Sequence, residues 1–490
     1  MIPVANFAEL ARALAGESAL VVGALAVLAY DLTPARHRSL DARWRSATLL
    51  GFIALIAAAV LMLRVGGVGA QFSGVFMLDR LGTATRVAVL VLAALTLLMT
   101  GSSSRLRNPA EFVAVVLLGT TGFMLMAVAQ QLLMAFLAIE LASLSLYVLA
   151  GFDKTRPESA EAALKYFLFG GMSAAFLLFG FSLLYGLTGA IDFTQISTVL
   201  ATQGLSPLLS VALVMVTVAF GFKAAAAPFH LWAPDAYQGA PPTAAALIAS
   251  ASKLAGIVFF FRLLWPGLGP VAGDFATLHG APGWLPVVAL LSAASLLIGN
   301  IGALAQSNLR RLLAYSAIGH AGALLLGVIA AGKVGPAPLF YYAATYGIAT
   351  VGIFGIVAVL ERGGVGPRIE DLAGLRRRSP LLTGCLAVFI LSLAGIPPLA
   401  GFFGKFFVFA AALKLGGIAG AAGWLTFAAI FLSAVALYYY LIVLKHALVA
   451  APASGAGPIH VPVVAKLTLV IAAGATVLFG VWPSLLLGLF

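Results

Sequence analysis

The stretch Gly221-Phe222-Lys223-Ala224-Ala225-Ala226-Ala227-Pro228-Phe229-His230-Leu231-Trp232-Ala233-Pro234-Asp235 closes an apolar run that begins near Leu208. A helix crossing a bilayer normally carries neither its lysine nor its prolines. A lysine at the centre of such a helix costs about 2.5–3.5 kcal/mol on insertion scales, so it usually faces protein or water and marks an ion path. Pro228 removes a helical hydrogen bond and forces a break that only a cavity or a neighbouring helix tolerates. A broken helix with a lysine beside the break is the starting expectation for the working part of the molecule.

The rest of the chain puts that break in a membrane. Of 490 residues, 62% are hydrophobic and 9% charged, against about 25% charged in an average soluble domain. Many runs of the roughly 20 apolar residues that a helical span needs follow one another through short Gly, Pro and polar joints, which points to a helix bundle rather than a barrel. The expected fold class is an all-α polytopic membrane protein. Glu9 and Arg12 precede the first run and an arginine cluster follows it, which argues against a cleaved signal and for an N-terminus on the outer side. The net charge of +12 does not indicate nucleic acid, because the basic residues are scattered through joints rather than gathered on one face among aromatics. The lone Cys385 excludes disulfides and a Cys-ligated iron–sulfur cluster in this chain.

Fourteen spans are expected, at approximately 16–32, 47–64, 82–100, 110–128, 131–151, 161–186, 207–232 (broken), 243–265, 284–304, 309–331, 337–361, 380–413 (broken), 420–447 and 463–488. With the N-terminus outside, the cytoplasmic joints carry Arg36, Arg38, Arg43, Arg45, Arg105, Arg107, Lys154, Arg156, Arg310, Arg311, Arg362, Arg368, Arg376, Arg377, Arg378 and Lys445. The other side carries Arg12, Arg64, Arg80, Arg86, Arg262, Lys333 and Lys414. That asymmetry obeys the positive-inside rule along the whole chain. The ionisable groups then expected in the membrane interior are Glu140, Lys165, Lys223, Lys253, Lys405, His230 and His320.

A second interruption lies five spans after the first, in Leu393-Ala394-Gly395-Ile396-Pro397-Pro398-Leu399-Ala400-Gly401-Phe402-Phe403-Gly404-Lys405-Phe406. Here the lysine follows the break. Two broken helices in corresponding positions and opposite orientation point to inverted repeats. The division expected is 1–109 for the first three spans, 110–265 for a first repeat of spans 4–8, 284–447 for a second of spans 9–13, and 463–490 for the last span.

Each candidate is weighed against a plainer role. Lys165 enters its span by only about five residues, some 7–8 Å, so snorkelling to the interface and function weigh equally. Lys223 and Lys405 adjoin breaks deep in their spans, and Lys253 follows two serines that suit a wet position, which favours function for all three. Glu140 sits near a span centre, where an unpaired carboxylate protonates; its presence implies a lysine partner or a titrating role. His230 stands beside Trp232 and serves equally well as an interfacial anchor. His320 can relay protons or lie buried as a neutral, hydrogen-bonded ring. Asp235 reads as a residue that caps or terminates a helix rather than one that does chemistry. No metal-ligand spacing, nucleotide-binding loop or nucleophile with a nearby base is present, which argues against an enzyme acting on soluble substrates.

These residues resemble one family. Phe222-Lys223 through Pro241, Ser252-Lys253, Leu312 through His320 and Ala394 through Lys405 are similar to the antiporter-like subunits of respiratory complex I and of Mrp-type cation/proton antiporters. The resemblance covers most of the chain beyond about residue 110; the four alanines after Lys223 and the first three spans depart from it. It implies a proton-translocating membrane-arm subunit of an NADH:quinone oxidoreductase. In that reading Glu140 and Lys223 form a switching pair with Lys165 nearby, Lys253 is the central relay and Lys405 the terminal group, with His320 and His230 as further candidates. The same resemblance implies that NADH, FMN, iron–sulfur clusters and quinone reside in partner subunits. The partners it implies are other membrane-arm subunits, above all the sister antiporter-like subunit M and the small K- and J-type subunits, in a bacterial inner (plasma) membrane with a periplasmic N-terminus. The alternatives that stay open are an Mrp-type Na⁺/H⁺ antiporter subunit and a purely structural membrane subunit.

Overall fold

A computed structural model describes residues 7–64, 70–72, 74–101, 106–275, 281–418, 420–452 and 457–490. Arg105, counted above among the cytoplasmic charges, lies outside the described residues. Among the described residues thirteen helices are long and apolar enough to cross a membrane. The pair Pro380–Ala394 and Ala400–Gly416 fills the place of the expected twelfth span. The all-α polytopic fold class is borne out, with one addition: a small antiparallel hairpin pairs Ala70–Phe72 with Phe76–Leu78 in the joint before Arg80–Thr100.

Three segments make the centre. Ala337–Arg362 is buried along its whole apolar length, and Pro242–Gly267 and Leu309–Val334 are nearly so. Helices that are apolar all round can be buried all round. By contrast Ala15–Leu32, Leu40–Arg64, Pro157–Thr188 and Val463–Val481 bury only about a third of their apolar stretches and leave the remainder facing outward. Close approach at the centre depends on small residues. A Cβ on Gly299 would stand 2.2 Å from the Gly319 nitrogen, so Trp284–Leu304 and Leu309–Val334 pack backbone to backbone there.

Both expected breaks are present. Pro207–Ala224 ends at Ala225, whose φ of 57° is left-handed, and the chain passes through Ala226-Leu231 into a short helix, Trp232–Gly239. Pro380–Ala394 ends at Gly395, φ 88°, and resumes at Ala400. The span expected as continuous at 243–265 is itself interrupted. Helices Pro242–Ala249 and Ala251–Arg262 meet at Ser250, with φ −112° and ψ −82°, and a π-helical turn follows at Leu263–Gly267. No proline or glycine marks Ser250, so nothing local in the sequence announces that interruption.

Candidate functional site

The first break is held by groups from several elements. The helix end is closed by Ala225 N–H donating to the Phe222 carbonyl at 2.9 Å and Ala226 N–H to the Gly221 carbonyl at 2.7 Å. The Trp232 indole N–H adds a bond to the Phe222 carbonyl at 3.1 Å, and its ring stacks on Tyr166 with centroids 4.2 Å apart. From Trp284–Leu304, the Ser295 hydroxyl accepts the Ala227 N–H at 2.8 Å. The orphaned backbone groups of an opened helix are thereby satisfied, as burial in an apolar medium requires.

This frame fixes Lys223 one residue before the end of its helix, buried, with Nζ donating to the Ser143 hydroxyl at 3.1 Å. Ser143 stands one turn beyond Glu140 on Leu132–Ala150, and Glu140, Ser143, Tyr147 and Lys223 line one cavity of about 20 Å³. That is room for about one water, which needs roughly 10–15 Å³. Glu140 and Lys223 therefore face a shared space without a direct ion pair within 4.0 Å. The stem of Lys223 leans on the next element: a Cβ on Gly256 would lie 3.3 Å from Lys223 Cγ.

Gly256 is one turn beyond Lys253. The Lys253 Nζ donates to the Ala317 carbonyl at 2.6 Å and lies 5.3 Å from the centroid of the Tyr346 ring. Tyr346 also packs against His320, with ring centroids 4.8 Å apart. His320 bonds through Nδ1 to the Tyr342 hydroxyl at 2.6 Å and through Nε2 to the Tyr440 hydroxyl at 3.2 Å. Tyr440 bonds Ser316 in turn, and Tyr439 donates to Asn300 Oδ1 at 3.1 Å. His320, Tyr342 and Lys405 line a cavity of about 10 Å³, the lower edge of what a single water fills.

Lys405, buried, donates to the Ala394 carbonyl across the second break at 3.0 Å. On its other side it borders an apolar cavity of about 430 Å³ lined by Gly395, Phe402, Phe406 and Leu437. Lys223, Lys253 and Lys405 thus each rest on a neutral oxygen, and among the described residues none pairs with a carboxylate within 4.0 Å. A carbonyl or hydroxyl oxygen accepts from an ammonium and from a neutral amine alike. The geometry therefore survives loss of the proton, which an ion pair does not.

Lys165 and Asp235 belong to a different group. Lys165 Nζ lies 2.6 Å from both Glu161 and Asp235, and Arg311 reaches the other Asp235 oxygen at 2.7 Å. This four-residue cluster is partly exposed and closes one end of the bundle; Lys165 does not line the cavity of Glu140 and Lys223. Asp235, expected to end a helix, instead lies within Trp232–Gly239 and joins two cations. Burial pushes its carboxyl up, but the Lys165 and Arg311 bonds outweigh this and hold it below the ordinary carboxylate range. His230 is buried, and its Nδ1 has no hydrogen-bond partner.

The interior contains charges that span-by-span reading misplaced. Arg86, assigned to an outer joint, is buried in Arg80–Thr100 and pairs with buried Glu17 of Ala15–Leu32 at 2.7 Å. Arg262, also assigned to a joint, is buried against Asp79. Arg310 is buried too, donating to the Ala240 carbonyl at 3.0 Å and pairing with Glu361 at 3.2 Å. Each sits within a turn or two of a helix end, and its partner lies far away in sequence, so only tertiary packing reveals the pairing. The tyrosines around His320 were also missed. Their signal was their place within apolar spans, where a buried hydroxyl seeks a partner.

The family model described as NADH:quinone oxidoreductase/Mrp antiporter, TM matches residues 129–433. A protein of Acidobacterium capsulatum named NADH-quinone oxidoreductase subunit N 2 is 47% identical over 496 aligned residues, covering 99% of this chain and 99% of its own. A chain in the structure of respiratory complex I from Thermus thermophilus with bound aureothin matches with a TM-score of 0.79 and 32% identity, covering 96% of this chain and 98% of that one. A chain of the Mrp complex from Dietzia sp. DQ12-45-1b matches with a TM-score of 0.79 at 21% identity, covering 96% of each chain, a likeness of fold alone.

Proposed function

The chain belongs to the family of NADH-quinone oxidoreductase subunit N, membrane-arm subunits of respiratory complex I, and from that premise we propose how it moves protons. It is a multi-span membrane subunit of a bacterial respiratory complex and, within it, a proton-translocating part of an NADH:quinone oxidoreductase. The observation that supports the mechanism most is the row of three buried lysines held by neutral oxygens, the first facing Glu140 across a one-water cavity.

In this reading Glu140 and Lys223 form the switch. Transfer of a proton from one to the other through the small cavity changes the charge that the next lysine meets. Lys253 is the central relay, and the His320 ring with the Tyr342 and Tyr440 hydroxyls links it towards Lys405. Lys405 is the terminal group, beside the wide cavity at the second break. Lys165 acts from outside the row: through Asp235 it fixes the short helix that follows the first break. His230, with an unpartnered Nδ1 on the same connection, is a candidate proton entry.

The proposal assigns spans 4–8 (110–265) and 9–13 (284–447) to two inverted repeats, between the three-span unit 1–109 and the last span 463–490, with the N-terminus periplasmic. Subunit M and the small K- and J-type subunits are its proposed neighbours. NADH, FMN, iron–sulfur clusters and quinone belong to those and other partners. For the iron–sulfur clusters this agrees with the residues present: the single cysteine is buried, and no group of three or more His, Cys, Asp or Glu that could hold a metal ion occurs among the described residues.

Membrane vesicles test the reading against the Mrp-type alternative. NADH addition is expected to acidify the lumen in a quinone-dependent manner that requires this subunit. Sodium-driven proton exchange without NADH, equally dependent on this chain, would overturn the proposal in favour of an antiporter.

A further inference from the structure

Away from the proton path, four helices meet along a seam that leads from one end of the bundle to the other. Leu40–Arg64 and Val463–Val481 begin at one end of it, where Arg80–Thr100 and Ala337–Arg362 finish. A cavity opens at each end. One, about 390 Å³, is lined almost wholly by apolar groups such as Leu63, Leu92, Phe340 and Phe479, with Arg80 at its edge. The other, about 520 Å³, has an apolar wall that includes Phe52, Leu98 and Val464 and a polar mouth with Arg45, Arg362, Asp41 and His460. Both volumes fall in the range of about 300–1,000 Å³ typical of ligand sites.

The mouth is unusual in having charge to spare. Arg362 donates to the Gly101 carbonyl at 3.0 Å, Arg45 is exposed, and among the described residues neither pairs with a carboxylate. The Thr48 hydroxyl, which lines the same cavity, is buried without a hydrogen-bond partner. Two guanidinium groups against the single carboxylate of Asp41 leave the mouth with one net positive charge when His460 is neutral. An apolar slot beside outward-facing Leu49 and Val463, topped by guanidinium groups and an unused hydroxyl, matches a molecule with an acyl chain and a phosphate.

The geometry points to a binding site for one singly anionic diacyl phospholipid, of the phosphatidylglycerol type. Its phosphate sits on Arg45 and Arg362, its glycerol region meets Thr48, and an acyl chain fills the slot between Phe52, Leu98 and Val464. The lipid seals the join between the first three spans and the last one.

The test uses the intact complex in nanodiscs that contain phosphatidylglycerol with a photoactivatable acyl chain, and maps the labelled peptides by mass spectrometry. Labelling is expected to concentrate on residues 48–52, 98 and 463–465, and unlabelled phosphatidylglycerol is expected to displace it more readily than phosphatidylethanolamine. Arg45→Gln with Arg362→Gln is expected to lower it by roughly a hundredfold, the loss of two charge-assisted hydrogen bonds. Leu98→Trp, which fills the slot and keeps both arginines, is expected to lower it as well. Labelling spread evenly over outward-facing helices such as Pro157–Thr188, unchanged in both variants, would overturn the site. Equal displacement by phosphatidylethanolamine would overturn its preference for an anionic lipid.

Discussion

The two broken helices place a lysine beside a gap in an otherwise apolar span, yet they are built differently. At the first, Lys223 precedes the gap, is buried, and shares a one-water cavity with Glu140. At the second, Lys405 follows the gap, has no carboxylate in either cavity that it lines, and borders an apolar space of about 430 Å³. The first gap is pinned from outside its own span, by Ser295 of Trp284–Leu304. The second is pinned from within, by the Ser392 hydroxyl accepting the Gly401 N–H at 3.1 Å. Under the proposed function, one local device, a lysine at a helix break, would serve two tasks: a nearby carboxylate would make the first responsive to charge, and an adjacent wide cavity would suit the second to exchange with another compartment.

The difference in pinning gives the largest expected effect on stability. Ser295→Ala leaves the buried Ala227 N–H unpaired and is expected to cost roughly 2 kcal/mol. Because Ser295 belongs to a separate span, its loss is expected to loosen the packing of Trp284–Leu304 as well as the gap. Ser392→Ala is expected to act only within its own span. Hydrogen exchange at the two gaps separates them, and equal, purely local loosening in both variants would erase the contrast.

A smaller effect follows from the residues that close the helices before each gap. Ala225 holds φ 57° with a side chain, whereas Gly395 holds φ 88° without one. The left-handed region costs a non-glycine residue about 1 kcal/mol or slightly more. Ala225→Gly is therefore expected to stabilise the first break or leave it unchanged, and Gly395→Ala to destabilise the second by about 1 kcal/mol. A Cβ at Gly395 would also stand 3.1 Å from Lys405 Cδ, so this variant is expected to disturb proton transfer too. Thermal unfolding of the two variants in the purified complex checks the opposite signs.

The smallest effect belongs to the cluster that flanks the first break alone. Asp235 has a carboxyl held below its ordinary range, so its contribution to stability is complete above about pH 4 and fades as pH falls through the lowered value. Its partners are partly exposed, which limits the two pairs together to roughly 0.5–1 kcal/mol. Asp235→Asn is expected to lower stability by about that much at neutral pH and to flatten the acid side of the profile. An unchanged acid limb would show that the cluster contributes nothing.

How much of this was legible in the sequence depends on whether the signal was local. Lys223, Lys253, Lys405, Glu140 and His320 stood out because an ionisable group in an apolar run is conspicuous wherever its partners are. Both proline-marked breaks were legible for the same reason. The interruption at Ser250 carries no such mark. Glu17 with Arg86, and Asp235 with Lys165 and Arg311, were illegible because each pairing joins helices 69 to 76 residues apart and each group lies near a span edge. A count by span centre assigns such residues to joints, although their side chains turn inward to a partner.

The most direct test of the proton row is coupled translocation in Lys223→Ala, with Glu140→Ala as its companion. Assembly is confirmed first by NADH oxidation with an artificial acceptor, which is expected to stay intact. Proton pumping and the quinone reduction coupled to it are then measured in the same vesicles, and both are expected to fall in each variant. Full pumping in either assembled variant would contradict the assignment of that residue to the row.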